Sequence, residues 1–180
     1  PIVVGDRVYV GTSHGDFYAL NRTEGSVVWK YTTAGAIVGG AEVSAGRVFV
    51  SSVDCFVHAL DAATGKKLWD YDSQAREKAD VRLRGAWGSR GIAYANGKVY
   101  TGTLDGRLIA LDARTGKLAW SVQTTEPGDQ RYITGAPWVY NDKVVIGHGG
   151  ADYAPVRGYV TAYDQSTGKQ AWRFWTVPHC

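Results

Sequence analysis

The sequence predicts an all-β protein built as four consecutive four-stranded antiparallel blades of a β-propeller. Three observations carry this. One phrase recurs four times, as "VYVGTSHGDFYALNRTEGSVVW" (8–29), "VFVSSVDCFVHALDAATGKKLW" (48–69), "VYTGTLDGRLIALDARTGKLAW" (99–120) and "VVIGHGGADYAPVRGYVTAYDQSTGKQAW" (144–172). Inside each copy apolar and polar residues alternate with period two, as in "RVYVG" and "RLIALD", which is the strand pattern. The closing tryptophans Trp29, Trp69, Trp120 and Trp172 are spaced by 40, 51 and 52 residues, a period that signals an array of supersecondary units. No window carries the i, i+3, i+4, i+7 apolar stripe of a long helix.

The four units fall at about 1–34, 35–75, 84–125 and 133–178. Each holds two turns with a chemical reason. The first has glycine where a hairpin needs positive φ, at Gly15 and Gly106. The second is D-A-x-T-G-K, at 61–66 and 112–117; there Asp61 and Asp112 can accept from backbone two residues on, while Gly65 and Gly116 take the left-handed position. The tryptophan four residues after that glycine is large and amphipathic. Its expected place is between neighbouring blades, with the indole N–H given to a main-chain carbonyl. The fourth unit departs from the pattern: "GHGGADYAPVRG" (147–158) spreads the first turn over several more residues and loads it with glycines, a histidine and an acid.

The chain has 180 residues, of which 44% are hydrophobic and 21% charged, ordinary values for a globular domain. The formal net charge is +3 with scattered Lys and Arg, so no basic patch points to nucleic acid. No apolar run is long enough to span a bilayer as a helix. Met is absent even at position 1, and the chain opens inside a strand pattern, so it reads as a piece of something longer. Two cysteines, Cys55 and Cys180, are too few for a disulfide framework and read as free thiols. His14 and His58 read as surface residues in or beside hairpin turns.

The phrase "ALDAxTGKxxW" resembles the repeat of quinoprotein-type propellers. Two groups share it: the pyrroloquinoline quinone (PQQ) dependent alcohol dehydrogenases, eight-bladed periplasmic enzymes, and the non-catalytic propeller lipoprotein of outer-membrane protein assembly. Residues 84–178 look like the first group over nearly every position, most specifically from "ITGAPW" at 133–138 to the aromatic exit "WRFWTVP" at 172–178. The resemblance implies half of an eight-bladed ring that holds PQQ with Ca²⁺, or a lanthanide, and acts on a small-molecule alcohol in the periplasm.

Carried over by position, the resemblance makes Arg90 in "SRG" the partner of a PQQ carboxylate and Thr134 in "ITGAP" a hydroxyl donor to the cofactor. It makes Gly149, Gly150 and Ala151 main-chain contacts, and Asp152 the metal ligand, where the family has Glu. The family's adjacent cysteines are replaced by Arg84 and Gly85; Trp87 could cover the cofactor in their stead. The family's catalytic aspartate comes from later blades, so this chain alone is expected to be inactive. Four blades in an arc expose strand edges, and self-association through them is expected unless the chain is longer. The competing reading is a purely structural scaffold propeller with protein partners.

Overall fold

The computed structural model describes residues 1–78, 89–126, 129–151 and 154–177. They form four separate antiparallel sheets of four strands in simple meander order. The first holds β1 (Ile2–Val4), β2 (Arg7–Gly11), β3 (Asp16–Asn21) and β4 (Val27–Thr32). The second holds β5 (Glu42–Ser44), β6 (Arg47–Ser51), β7 (Phe56–Asp61) and β8 (Lys67–Asp72), followed by one helical turn, α1 (Ala75–Lys78). The third holds β9 (Ile92–Ala95), β10 (Lys98–Gly102), β11 (Arg107–Asp112) and β12 (Leu118–Gln123). The fourth holds β13 (Trp138–Tyr140), β14 (Lys143–Gly147), β15 (Tyr159–Asp164) and β16 (Gln170–Trp175). The first strands of successive sheets adjoin one another, β5 against β9 and β9 against β13, so the blades radiate from them.

Alternation along the two middle strands of each blade gives it two apolar faces, and the core lies in three layers between blades. Tyr9, Phe17 and Ala19 of the first meet Val48, Val50 and Leu60 of the second. Phe49, Val57 and Ala59 meet Val99, Ile109 and Leu111. Tyr100, Leu108 and Ala110 meet Val144, Ile146 and Tyr163.

The tryptophans join these layers. The outer hairpin of every blade breaks register at the same place, after Ala19, Ala59, Ala110 and Ala162. The extra residue of such a bulge adds twist and re-aims the next side chain. Trp29 thereby reaches the second blade, where its Nε1–H donates to the Ala62 carbonyl at 3.1 Å. Trp69 does the same to Ala113 at 3.1 Å, and Trp120 to Gln165 at 2.9 Å. Each indole lies on a left-handed glycine, Gly65 (φ 71°), Gly116 (72°) or Gly168 (71°); a Cβ there would stand only 2.6–2.8 Å from ring atoms. The turn is set by its acid: Asp61 Oδ1 accepts from the N–H groups of Ala63 (3.1 Å) and Thr64 (2.8 Å), and Asp112 from Arg114 (3.2 Å) and Thr115 (2.8 Å).

In the inner hairpins Gly15 (φ 86°) and Gly106 (83°) hold the left-handed position, but the second blade puts Cys55 there at φ 76°. A side chain at such φ costs about 1 kcal/mol or more. Cys55→Gly is therefore expected to stabilise the chain by roughly 0.5–1 kcal/mol in a denaturant titration, the relief being partly offset by glycine's extra freedom when unfolded. A destabilised variant would show that thiol packing outweighs the backbone. Cys55 is a free thiol.

Candidate functional site

Three segments enter the inner strands β5, β9 and β13, and they lie side by side across the blades. Gly40 pairs with Gly91 in a parallel bridge. The Arg90 N–H donates to the Thr134 carbonyl at 2.7 Å. Tyr132 pairs antiparallel with Gly149, through Gly149 N–H to the Tyr132 carbonyl (2.9 Å) and the reverse bond (3.3 Å). Residues from the second, third and fourth blades thus share one backbone ladder, which satisfies groups that loops would otherwise leave open.

Ser89 fixes the middle rung. Its Oγ donates to the Gly91 carbonyl at 2.7 Å, its own carbonyl accepts from Ser51 Oγ at 3.4 Å, and Thr101 Oγ1 lies 3.4 Å from its Oγ. Behind it a small, mostly apolar crevice of about 20 Å³ lies between the second and third blades, lined by Ser51, Phe56, Val57, Ser73, Ser89 and Leu104 among others. Arg90 itself is exposed and Thr134 half-buried. Among the described residues no atom lies within 4 Å of where a Cβ would stand on Gly40 or Gly135, and both glycines are exposed.

The structure therefore joins Arg90, Thr134 and Gly149, three of the positions expected from sequence. It gives the glycines a further reason. A Cβ on Gly149 would lie 2.9 Å from the Tyr132 ring, and one on Gly150, at φ 117°, 2.7 Å from the Gln130 carbonyl oxygen. The glycine run lets segment 130–132 cross the long hairpin loop. Ala151 is exposed. Asp152, Arg84, Gly85, Trp87 and Cys180 lie outside the described residues. Among the described residues no three His, Cys, Asp or Glu side chains gather as a metal site.

The long loop, from 148 to 158 between β14 and β15, is braced by arginines. Arg131 Nε donates to the Arg157 carbonyl at 2.8 Å and its guanidinium pairs with Asp129 at 2.5 Å. Arg157 lies 4.4 Å over the Trp175 ring and Arg173 4.2 Å over Tyr159. This cation–π stack is what the "WRFW" exit provides. His148 sits within it, its ring 4.4 Å from that of Tyr159 and its Nε2 2.7 Å from Thr124 Oγ1 on the third blade. Burial first, then the charges of Arg173 and Arg131, push its pKa down to about 4.

His58 corrects the sequence reading. It is 5% exposed, on β7 rather than in the turn, with Nδ1 3.2 Å from the Tyr31 hydroxyl and Nε2 3.6 Å from Asp54. His14 is exposed, as read. Ser89, Gly40 and Tyr132 were missed as parts of the ladder; the dipeptide "GG" at 39–40 and the "SRG" at 89–91 are the only local signals.

Four radial sheets locked by indoles onto their neighbours' turns define a repeat β-propeller. A family model described as outer membrane protein assembly factor BamB matches residues 1–150 and again 84–178. Quinohemoprotein alcohol dehydrogenase ADH IIB of Pseudomonas putida is 56% identical over 134 residues, 74% of this chain and 19% of the relative. Quinohemoprotein alcohol dehydrogenase of Comamonas testosteroni is 42% identical over 163 residues, 89% of this chain and 23% of the relative. The crystal structure of that Comamonas enzyme superposes with a TM-score of 0.74 at 44% identity, over 81% of this chain and 22% of that one. A europium-containing methanol dehydrogenase gives 0.69 at 38% identity, over 83% of this chain and 27% of that one. A computationally designed protein, Ika8, shares the fold at 21% identity with a TM-score of 0.74, over 96% of this chain and 47% of that one. The chain belongs to the family of PQQ-repeat propellers, and is similar in sequence to a segment of the quinohemoprotein alcohol dehydrogenases. It spans about a fifth of the length of the curated relatives it matches. Among the described residues no helix is long and apolar enough to cross a membrane.

Proposed function

We propose that this chain supplies part of the PQQ and metal cradle of a periplasmic quinoprotein alcohol dehydrogenase, as four of the eight blades of a longer protein. Its repeats at about 1–34, 35–75, 84–125 and 133–178 form one propeller segment. The observation that carries the reading is the ladder that brings Arg90, Thr134 and Gly149 together from two blades. An exposed arginine whose backbone N–H bonds the carbonyl of a half-buried threonine, with exposed glycine backbone at Gly40 and Gly135, suits the edge of a flat anionic ring system.

In this role Arg90 pairs with a carboxylate of PQQ, the Thr134 hydroxyl donates a hydrogen bond, and Gly149, Gly150 and Ala151 offer main-chain contacts. Asp152 gives a carboxylate oxygen to Ca²⁺ or a lanthanide, hard cations that prefer oxygen. When bound, the quinone is the electron acceptor for alcohol oxidation. The base that receives the substrate hydroxyl proton is assigned to a later blade.

The chain alone is accordingly expected to show no dye-linked turnover of alcohol with PQQ and Ca²⁺. Turnover above a PQQ-only blank, lost on Asp152→Ala, would contradict this. The exposed blade edges are surfaces for self-association when no further blade covers them. The second reading, a scaffold propeller with protein partners, is favoured by the description of the matching family model. It requires that the longer protein bind no PQQ.

A further inference from the structure

A hydroxyl at the exit of each of the first three blades closes its inner hairpin. Thr33 Oγ1 donates to the Gly15 carbonyl at 3.0 Å, Ser73 Oγ to Cys55 at 2.8 Å and Thr124 Oγ1 to Gly106 at 2.7 Å. A second hydroxyl opens each of these hairpins and caps its own turn. Thr12 Oγ1 accepts from the Asp16 N–H (3.1 Å), Ser52 Oγ from Asp54 (3.3 Å) and Thr103 Oγ1 from Arg107 (3.2 Å). These three residues directly follow Gly11, Ser51 and Gly102, the last residues of β2, β6 and β10. In the fourth blade the same place, after Gly147, is taken by His148. Its ring turns to the neighbouring blade, where Nε2 stands 2.7 Å from Thr124 Oγ1.

The hydrogens along this contact can be assigned. A threonine hydroxyl has one hydrogen, and Thr124 gives it to the Gly106 carbonyl as Ser73 gives its own to Cys55. Thr124 Oγ1 is then an acceptor toward the ring, so Nε2 carries the hydrogen of the imidazole. Nδ1 is left bare, 3.4 Å from the Tyr159 carbonyl, beyond the ordinary range of an N–H donor. The ring has only one such hydrogen to give because burial, with Arg173 and Arg131 nearby, keeps it neutral at ordinary pH.

We propose that His148 is the positioning residue of the long loop: as the Nε2–H tautomer it donates to Thr124 and pins the start of that loop to the third blade. The next residue, Gly149, enters the ladder with Tyr132, and Gly150 at φ 117° lies against the Gln130 carbonyl. Fixing the histidine therefore fixes the main chain assigned above to the cofactor. The exchange of a local cap for a bond to the neighbouring blade also frees the fourth hairpin to widen. The purpose of this bond rests on the cradle reading; the bond itself does not.

The test is site-resolved hydrogen exchange of the Gly149 amide in the longer protein without cofactor. Thr124→Val removes the acceptor and is expected to speed this exchange about threefold to tenfold, the worth of one hydrogen bond. Thr124→Ser is expected to restore the wild-type rate, and amides of β6 and β7 are expected to be unchanged in all variants. At position 148 a glutamine amide N–H falls near the place of Nε2, whereas that of asparagine falls near Nδ1. His148→Gln is accordingly expected to keep the protection of Gly149 and His148→Asn to lose it. Equal rates in wild type and Thr124→Val, or loss of protection in both His148 variants alike, would overturn the assigned bond. A titration with PQQ and Ca²⁺ tests its purpose, with affinity expected to fall by the same factor in His148→Asn. Unchanged affinity in a variant that has lost protection would overturn the positioning role. A wild type that binds neither probe would overturn the cradle reading, and the exchange rates would still decide the bond.

Discussion

Trp29→Ala is expected to lower the stability of the chain by about 3–5 kcal/mol, the range for emptying a buried aromatic site. Trp29 is 8% exposed and packs with Tyr9 and Phe17 at ring separations of 5.8 and 6.0 Å. Its loss uncovers Gly65, whose φ of 71° and buried position leave nothing able to collapse into the gap. Trp29→Phe keeps most of the packing and forfeits the N–H bond to Ala62, for a loss of about 1–2 kcal/mol. Urea unfolding of both variants checks this. A loss below about 1 kcal/mol for the alanine variant would mean that the blades are held by strand packing alone, without the indole.

Acid should destabilise the fold well before its carboxylates titrate. His148 has a folded pKa of about 4 against an ordinary 6.5. At neutral pH it is uncharged in both states and costs nothing. As pH falls through 6.5 the unfolded chain takes up a proton that the folded chain refuses, so stability drops by about 1.4 kcal/mol per pH unit, reaching roughly 3 kcal/mol near pH 4. His148→Gln, which cannot titrate, should flatten the profile between pH 6.5 and 4. The turn acids act in a lower window. Hydrogen bonds from Thr64 and Thr115 hold the carboxyls of Asp61 and Asp112 below the usual range, so their contribution is present above the unfolded value and fades only as pH falls through the depressed one. A wild-type profile flat from pH 7 to pH 4.5 would contradict the account of His148.

The blades were legible in the sequence because their information is local: period-two alternation, acid-started turns and one tryptophan per unit fix each hairpin from within twenty-odd residues. The indole's destination on a neighbouring carbonyl followed from its size and its one donor. The ladder was not legible in this way. Arg90 to Thr134 and Ser51 to Ser89 are contacts between blades, and no periodicity encodes which loop meets which. The packing of Gly149 and Gly150 against the Tyr132 ring and the Gln130 carbonyl was not legible either, because residues 130 and 132 carry no pattern of their own. His58 was misread because its segment looks like a turn from outside, while the strand β7 already covers it. Cys55 shows the same limit from the other side. Its position matches two glycines in the alignment of repeats, but the backbone keeps positive φ although the residue has changed.

The central claim is that Arg90 stands at the edge of a PQQ site. The direct measurement is a titration of PQQ, with Ca²⁺, into the longer protein and its Arg90→Ala variant, followed by the absorbance of the quinone. The account predicts saturable binding by the wild type and a loss of roughly ten- to a hundredfold in the variant, the worth of a charge-assisted pair. Absence of binding by the wild type, or equal affinity in the two proteins, would contradict it.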